Sequence, residues 1–189
     1  MTRSGPYLAL KLRAMALLVF GRQRAAETVF DAMLARWPSD AYALASRSHL
    51  RAQTGRTEQA IADAERLVAG QPERSAANWF NLAFLRDKLD QHEAAEAAFR
   101  SALALDAKLD RAWYGLGLTL IRQGRLEDAV AALRRNTELQ PLSPFGWYQL
   151  ARVHANRREP EKARKIIEHL RGFEPKVAKQ LERETGLAP

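Results

Sequence analysis

The chain has 189 residues, 47% of them hydrophobic, enough to bury a sizeable core, and its formal net charge is +8. It contains no cysteine, which excludes disulfides, thiolate nucleophiles and thiolate metal sites together and leaves the redox compartment open. No run of about 18 apolar residues occurs, because Lys11 and Arg13 interrupt the most apolar stretch, Tyr7 to Phe20, so no transmembrane segment is expected.

Ala, Leu, Arg, Glu and Gln dominate while strand formers are scarce, which predicts an all-α fold. In the first predicted helix Leu8, Leu10, Leu12, Met15, Leu17, Leu18, Val19 and Phe20 surround nearly the whole circumference, with Lys11 and Arg13 roughly 200° apart on the wheel. A helix that is apolar all round is usually buried, and a first helix has no preceding element to bury it. Leu8, Leu12, Met15, Leu18 and Val19 are therefore expected to form a homodimer face. A merely apolar terminal helix, or a membrane or heterologous contact, are the alternatives. The stretch Ala14 to Phe20, behind Arg3, Lys11 and Arg13, has the outline of a signal peptide, but Gly21-Arg22-Gln23-Arg24 after it offers no small-residue cleavage site. The Ala- and Arg-rich composition and the starting Met fit a complete small bacterial protein in the cytoplasm, with the periplasm left open.

Beyond that helix, the phrase Gly21-Arg22-Gln23-Arg24-Ala25-Ala26 recurs as Gly55-Arg56-Thr57-Glu58-Gln59-Ala60 and as Gly124-Arg125-Leu126-Glu127-Asp128-Ala129. Its register predicts one domain over 1–189, built of five two-helix repeats at 7–40, 41–75, 76–109, 110–143 and 144–177, with one extra residue in the second. Pro38, Pro72, Pro141 and Pro175 mark four repeat ends, since proline lacks an amide proton and disfavours helix in the residue before it; Ala107 takes that place in the third. Small residues such as Gly117 and Ala129 would let paired helices approach closely. A closing helix is expected over 176–185, with Val177, Ala178 and Leu181 on one side and Gly186 stopping it.

Trp79, Leu82, Ala83, Ala95, Phe99 and Ala102 in the third repeat recur as Trp113, Leu116, Gly117, Leu120, Ala129, Leu133 and Pro141 in the fourth, and as Trp147, Leu150, Ala151, Ala163, Ile167 and Pro175 in the fifth. This pattern resembles the tetratricopeptide repeat family. The first two repeats match in their second helices, through Ala26, Phe30, Met33 and Pro38 and through Ala60, Leu67 and Pro72. Their first helices depart from it, with Leu10 and Leu44 in place of Trp and Arg13 and Arg47 where Leu is expected. The resemblance implies a right-handed superhelix of five two-helix repeats with a C-terminal capping helix. It also implies a protein–protein interaction scaffold or assembly adaptor, binding a peptide or helix of a partner in a concave groove lined by the first helices.

Carried onto this chain, the family's contact positions give an aromatic ladder of Phe80, Tyr114 and Tyr148, flanked by Asn81, Phe84, Arg111, Leu118, Arg122, Gln149 and Arg152, with Tyr42 one register away. Aromatic rings offer contact area at small entropic cost, and Arg and amide groups bind carboxylates or peptide backbone. Two readings stay open: the ladder meets a ligand, or it packs between neighbouring first helices. Family members that clamp the carboxyl terminus of heat-shock chaperones need Lys and Asn on consecutive first helices. Asn81 alone matches one slot, with Phe84 where an Asn would be needed, so chaperone-tail binding is not expected.

His49, His92, His154 and His169 are far apart, and no phosphate loop, nucleophile elbow or isolated acid pair occurs. No enzyme, cofactor or metal is expected, although a subunit that recruits substrate for an enzyme complex stays as an alternative. A nucleic-acid-binding helical repeat is the other, motivated by Arg157, Arg158, Lys162, Arg164, Lys165, Arg171, Lys176 and Lys179. Ten basic residues face six acidic ones from position 144 onward, so a solvated helix face is favoured over a nucleic-acid partner.

Overall fold

The computed structural model describes residues 4–187. The described residues form eleven α-helices and no strand: α1 (Ser4–Val19), α2 (Gln23–Arg36), α3 (Ala41–Gln53), α4 (Thr57–Gly70), α5 (Ala76–Lys88), α6 (His92–Leu105), α7 (Asp110–Arg122), α8 (Leu126–Leu139), α9 (Pro144–Asn156), α10 (Pro160–Arg171) and α11 (Pro175–Thr185). The chain divides into two compact units, 1–89 and 90–189.

One backbone device recurs along the chain. Gly21, Gly55 and Gly124 of the repeated phrase take positive φ of 67°, 79° and 74°, and Asp90 and Arg158 take 55° and 58° at the corresponding positions. Each of these left-handed residues separates an odd-numbered helix from the even-numbered one after it, ending the first so that the chain can reverse. Only three of them are glycine, which is why the phrase is visible at three of the five turns.

In the N-terminal unit α1 packs on α2, α2 on α3, α3 on α4 and α4 on α5. Ala14, Ala26, Phe30, Met33, Ala43 and Leu44 are fully buried, and Tyr7, Leu10, Leu17, Trp37 and Tyr42 close over them. Edge-on ring pairs, Tyr7–Trp37 at 5.2 Å and Phe30–Tyr42 at 6.0 Å, take the place of the absent family Trp. Arg47, standing where Leu was expected, is buried with two fork hydrogen bonds to Asp63 at 2.9 and 2.5 Å and a third to Asp31 at 2.6 Å. Arg51 adds bonds of 2.8 Å to Asp63 and 2.9 Å to Glu27. The second repeat thus replaces an apolar contact with an ionic network spanning α2, α3 and α4, in which each buried charge is matched and hydrogen-bonded.

In the C-terminal unit α6 packs on α7, α7 on α8, α8 on α9 and α9 on α10, while α11 packs on both α10 and α9. Close approach requires small residues here. A Cβ at Gly115 would strike the ring of Phe99, one at Gly146 would strike Asn136, and one at Gly117 would lie 2.7 Å from Leu133 Cγ. The closing helix begins at Pro175, buries Ala178 and Leu181 completely, and is ended by Gly186 at φ 68°.

The family tryptophans pin helices to the preceding turn. Trp79 donates to the Pro72 carbonyl at 2.7 Å, Trp113 to that of Ala107 at 2.9 Å, and Trp147 to that of Pro141 at 2.9 Å. The acceptor is a main-chain oxygen, so Ala107 serves where the other repeats have Pro.

Candidate partner-binding surface

The predicted contact residues lie on α3, α5, α7 and α9. Tyr42 on α3 is held inside the N-terminal unit, edge-on to Phe30 and with Lys11 Nζ 4.6 Å above its ring. On α5, Phe80 is half-buried, while Asn81 and Phe84 are exposed.

The C-terminal unit gathers the rest. Along α7, Arg111 and Arg122 are exposed and Tyr114 and Leu118 half-buried; along α9, Arg152 is exposed and Tyr148 and Gln149 half-buried. Tyr114 and Tyr148 both lay part of their rings on the unit's apolar core, yet each also lines a cleft. The first cleft, about 250 Å³, is walled by Asp110, Arg111, Tyr114, Asn136, Gln140, Ser143 and Phe145. The two readings of the ladder are therefore compatible in these two tyrosines: the ring body packs and its outer edge meets solvent.

The second cleft, about 520 Å³, is lined by Tyr148, Arg152, Ala155, Asn156, Glu184 and Thr185. The Tyr148 hydroxyl donates to Glu184 at 2.6 Å, Gln180 donates to the other Glu184 oxygen at 2.8 Å, and the Arg152 guanidinium lies 5.6 Å over the Tyr148 ring. The Tyr148 hydroxyl, with Gln180 and the nearby Arg152, holds the Glu184 carboxyl below its ordinary value; the same bond, with partial burial, pushes the Tyr148 phenol up.

Phe145, 67% exposed, lines the first cleft from the start of α9, and Leu142, 75% exposed, lies in the turn before that helix; both were missed by sequence reasoning. The available signal was position: Phe145 occupies in the fifth repeat the place that Arg111 holds in the fourth.

On α1, Tyr7, Leu10, Ala14 and Leu17 turn toward α2 and the core. The opposite side carries Leu8, Leu12, Met15, Leu18 and Val19, between 37% and 82% exposed. Of the basic residues on α10 and its flanks, Arg157 lies 3.3 Å from Glu159, Lys162 3.3 Å from Glu159, Arg164 2.5 Å from Glu161, and Arg171 2.5 Å from Glu182. These pairings neutralise much of the positive charge locally. His154 is buried with Nδ1 2.6 Å from Glu159, tying the end of α9 to the start of α10, and His169 packs between Trp147 and Phe173. Among the described residues no group of three or more His, Asp or Glu is placed to hold a metal ion, and no helix is long and apolar enough to cross a membrane.

No curated protein matches the sequence. Among solved structures, one of the protein MamA superposes with a TM-score of 0.81 at 20% identity, over 88% of this chain and 90% of that one. YrrB, described as a TPR protein with an unusual peptide-binding site, gives 0.80 at 19% identity, over 90% and 88%. A tetratricopeptide repeat protein from Parabacteroides merdae gives 0.82 at 17% identity, over 95% and 73%. At such identities the likeness is one of fold. The tetratricopeptide repeat model matches residues 11–77 and 80–144, most of the sequence. With its indole-pinned helices, small-residue contacts and recurring left-handed turns, the chain belongs to the tetratricopeptide repeat family.

Proposed function

We propose that the protein is an interaction scaffold that holds a peptide or helix of a protein partner against its first helices, chiefly α7 and α9. The observation carrying this reading is the pair of clefts at Tyr114 and Tyr148, each combining an aromatic edge with an exposed arginine, Arg111 in one and Arg152 in the other. Such sites suit extended or helical peptides, where rings give contact area and guanidinium groups fix polarity. Leu118, Arg122 and Gln149 belong to the same proposed surface, and Asn81 and Phe84 on α5 are proposed as contacts of the N-terminal unit. YrrB, similar in fold, is described as peptide-binding, which agrees with this reading. Recruiting substrate to an enzyme complex would use the same residues. The test is affinity capture with mass spectrometry beside a Tyr114→Ala/Tyr148→Ala variant. A partner captured by the parent and lost with the variant at unchanged helicity supports the reading; equal capture by both sinks it.

A second reading concerns α1, whose exposed Leu8, Leu12, Met15 and Val19 follow spacings of four, three and four residues. That is the seam of a two-stranded helical pair, and a second copy of α1 is self-complementary to it. Light scattering should give a dimer mass that Leu12→Glu reduces to a monomer; a monomeric parent at high concentration removes this reading.

A further inference from the structure

Within the proposed binding surface, the cleft at the end of α9 already holds a carboxylate. Glu184 receives hydrogen bonds from the Tyr148 hydroxyl and Gln180, and one of its oxygens lies 4.0 Å from Arg152 Nε. The Tyr148 hydroxyl and the Arg152 guanidinium are set on one face of α9, four residues apart, and Tyr148 is seated against the core. That side of the cleft is built. Glu184 comes from the other side, on the last turn of α11, beyond the helix's two fully buried anchors Ala178 and Leu181 and two residues before the left-handed stop at Gly186. The Glu184 side chain is 37% exposed, so a change of rotamer withdraws the acceptor while Leu187 stays packed on the core.

The cleft, about 520 Å³, is several times the volume of one carboxylate, and Ala155 and Asn156 line its remainder. A phenol and a guanidinium facing a single acceptor select for anions, because hydrogen bonds to a charged oxygen are roughly twice as strong as neutral ones. A neutral side chain that displaced Glu184 would leave the Tyr148 hydroxyl with a poorer acceptor and the Arg152 guanidinium without its counter-charge 4.0 Å away, so an incoming group must itself be charged.

We infer that the Tyr148–Arg152 cleft is a binding site for the side-chain carboxylate of an acidic segment of the partner, and that Glu184 occupies it as an internal competitor. This rests on the groove reading above and adds a chemistry to it. An internal ligand seated about nine-tenths of the time lowers apparent affinity by about tenfold, so the Glu184 side chain sets the threshold for binding.

The experiment is fluorescence anisotropy with three labelled peptides on the full chain. The first is a capped, amidated peptide with alternating Glu and Leu, the second its Gln counterpart, and the third the Gln peptide with a free C-terminal carboxylate. Glu184→Gln and, as a second variant, Glu184→Ala should tighten binding of the Glu peptide by about tenfold and leave the Gln peptide unchanged. Adding Arg152→Ala or Tyr148→Phe should abolish that gain. Equal affinity of parent and Glu184 variants, an equal gain with the Gln peptide, a gain confined to the free C-terminal carboxylate, or no binding of any peptide overturns the proposal. In each of those cases, if Tyr114→Ala/Tyr148→Ala still loses the captured partner, the groove reading stands and only the carboxylate site falls.

Discussion

Arg56 forks onto Glu27 with hydrogen bonds of 2.8 and 2.6 Å across 29 positions, and Arg125 reaches Glu96 across the same interval at 2.7 and 2.9 Å. Both arginines belong to the repeated Gly-Arg phrase and precede the first residue of a helix, where neither side chain caps its own helix. Each side chain instead clasps the second helix of the preceding repeat, so the phrase serves two ends: glycine turns the chain and arginine clips one repeat to the last.

These clips predict an acid-sensitive fold. Bonding to Arg56, aided by Arg51, holds the Glu27 carboxyl below its ordinary 4.5 against the cost of burial. For Glu96 burial is the largest single influence and raises it, but Arg125, Gln123 and Arg100 together bring the net shift below 4.5. A carboxyl lowered in the folded state contributes stability that is full above its unfolded value and lost as pH falls through its folded value. The urea midpoint should be level from about pH 7 to 5 and fall below about pH 4.5, and Glu27→Gln/Glu96→Gln should start lower at pH 7 and lose much of that acid slope. An unchanged slope in the double variant would place the acid sensitivity elsewhere.

Arg47 predicts a second, separable effect. Asp63 is 2% exposed and takes its fork from Arg47, so Arg47→Leu leaves a buried carboxylate with Arg51 alone. Breaking a buried pair costs about 3 kcal/mol, whereas replacing both members by apolar groups is often neutral. Arg47→Leu should therefore be strongly destabilising although it restores the family residue, and Arg47→Leu/Asp63→Leu should recover part of the loss. Chemical denaturation checks this; a stabilising single variant would contradict it.

This pair also shows where sequence reasoning stopped. The helical register was legible because proline, Trp and small residues recur at fixed spacing and each acts locally or within one hairpin. Arg47 was visible as a departure, but its partners Asp31 and Asp63 lie 16 residues away on either side, on two other helices, and no local pattern joins them. For the same reason Tyr148 could be placed on a first helix, while its bond to Glu184, 36 residues on, could not. Fully buried Ala178 and Leu181 followed the expected face of the closing helix because a short amphipathic segment has one apolar side to hide.

The left-handed turns give a prediction of opposite sign. Arg158 and Asp90 hold φ of 58° and 55° with a Cβ, a conformation costing about 1 kcal/mol that glycine avoids, against glycine's greater freedom when unfolded. Arg158→Gly and Asp90→Gly should be neutral to stabilising by about 0.5 kcal/mol, and Gly124→Ala, at φ 74°, destabilising by about 1 kcal/mol. Thermal melts of the three variants compare these signs directly, and a stabilised Gly124→Ala would contradict the turn geometry.

The contact of Gly117 on α7 with Leu133 on α8 provides the last prediction. The third and fifth repeats carry Ala83 and Ala151 where the fourth has Gly117, so alanine is compatible with the position in general. At Gly117, however, a Cβ would stand 2.7 Å from Cγ and 2.8 Å from Cδ2 of Leu133, which is fully buried and cannot swing to solvent. In the fifth repeat the residue corresponding to Leu133 is Ile167, whose branch lies one carbon nearer its own helix. Between the fourth and fifth repeats the size of the residue at one position thus follows the branching at the other, while the third pairs Ala83 with Phe99, whose flat ring lies toward Gly115. Gly117→Ala should cost about 1 to 3 kcal/mol through overpacking, and Leu133→Ile less than about 1.5 kcal/mol as a volume-conserving exchange. The double variant should be more stable than the sum of the two losses, with a coupling of at least about 0.5 kcal/mol in a double-mutant cycle. Simple additivity would mean that α7 and α8 part to admit the methyl group, and that the spacing of this helix pair is set elsewhere than at Gly117.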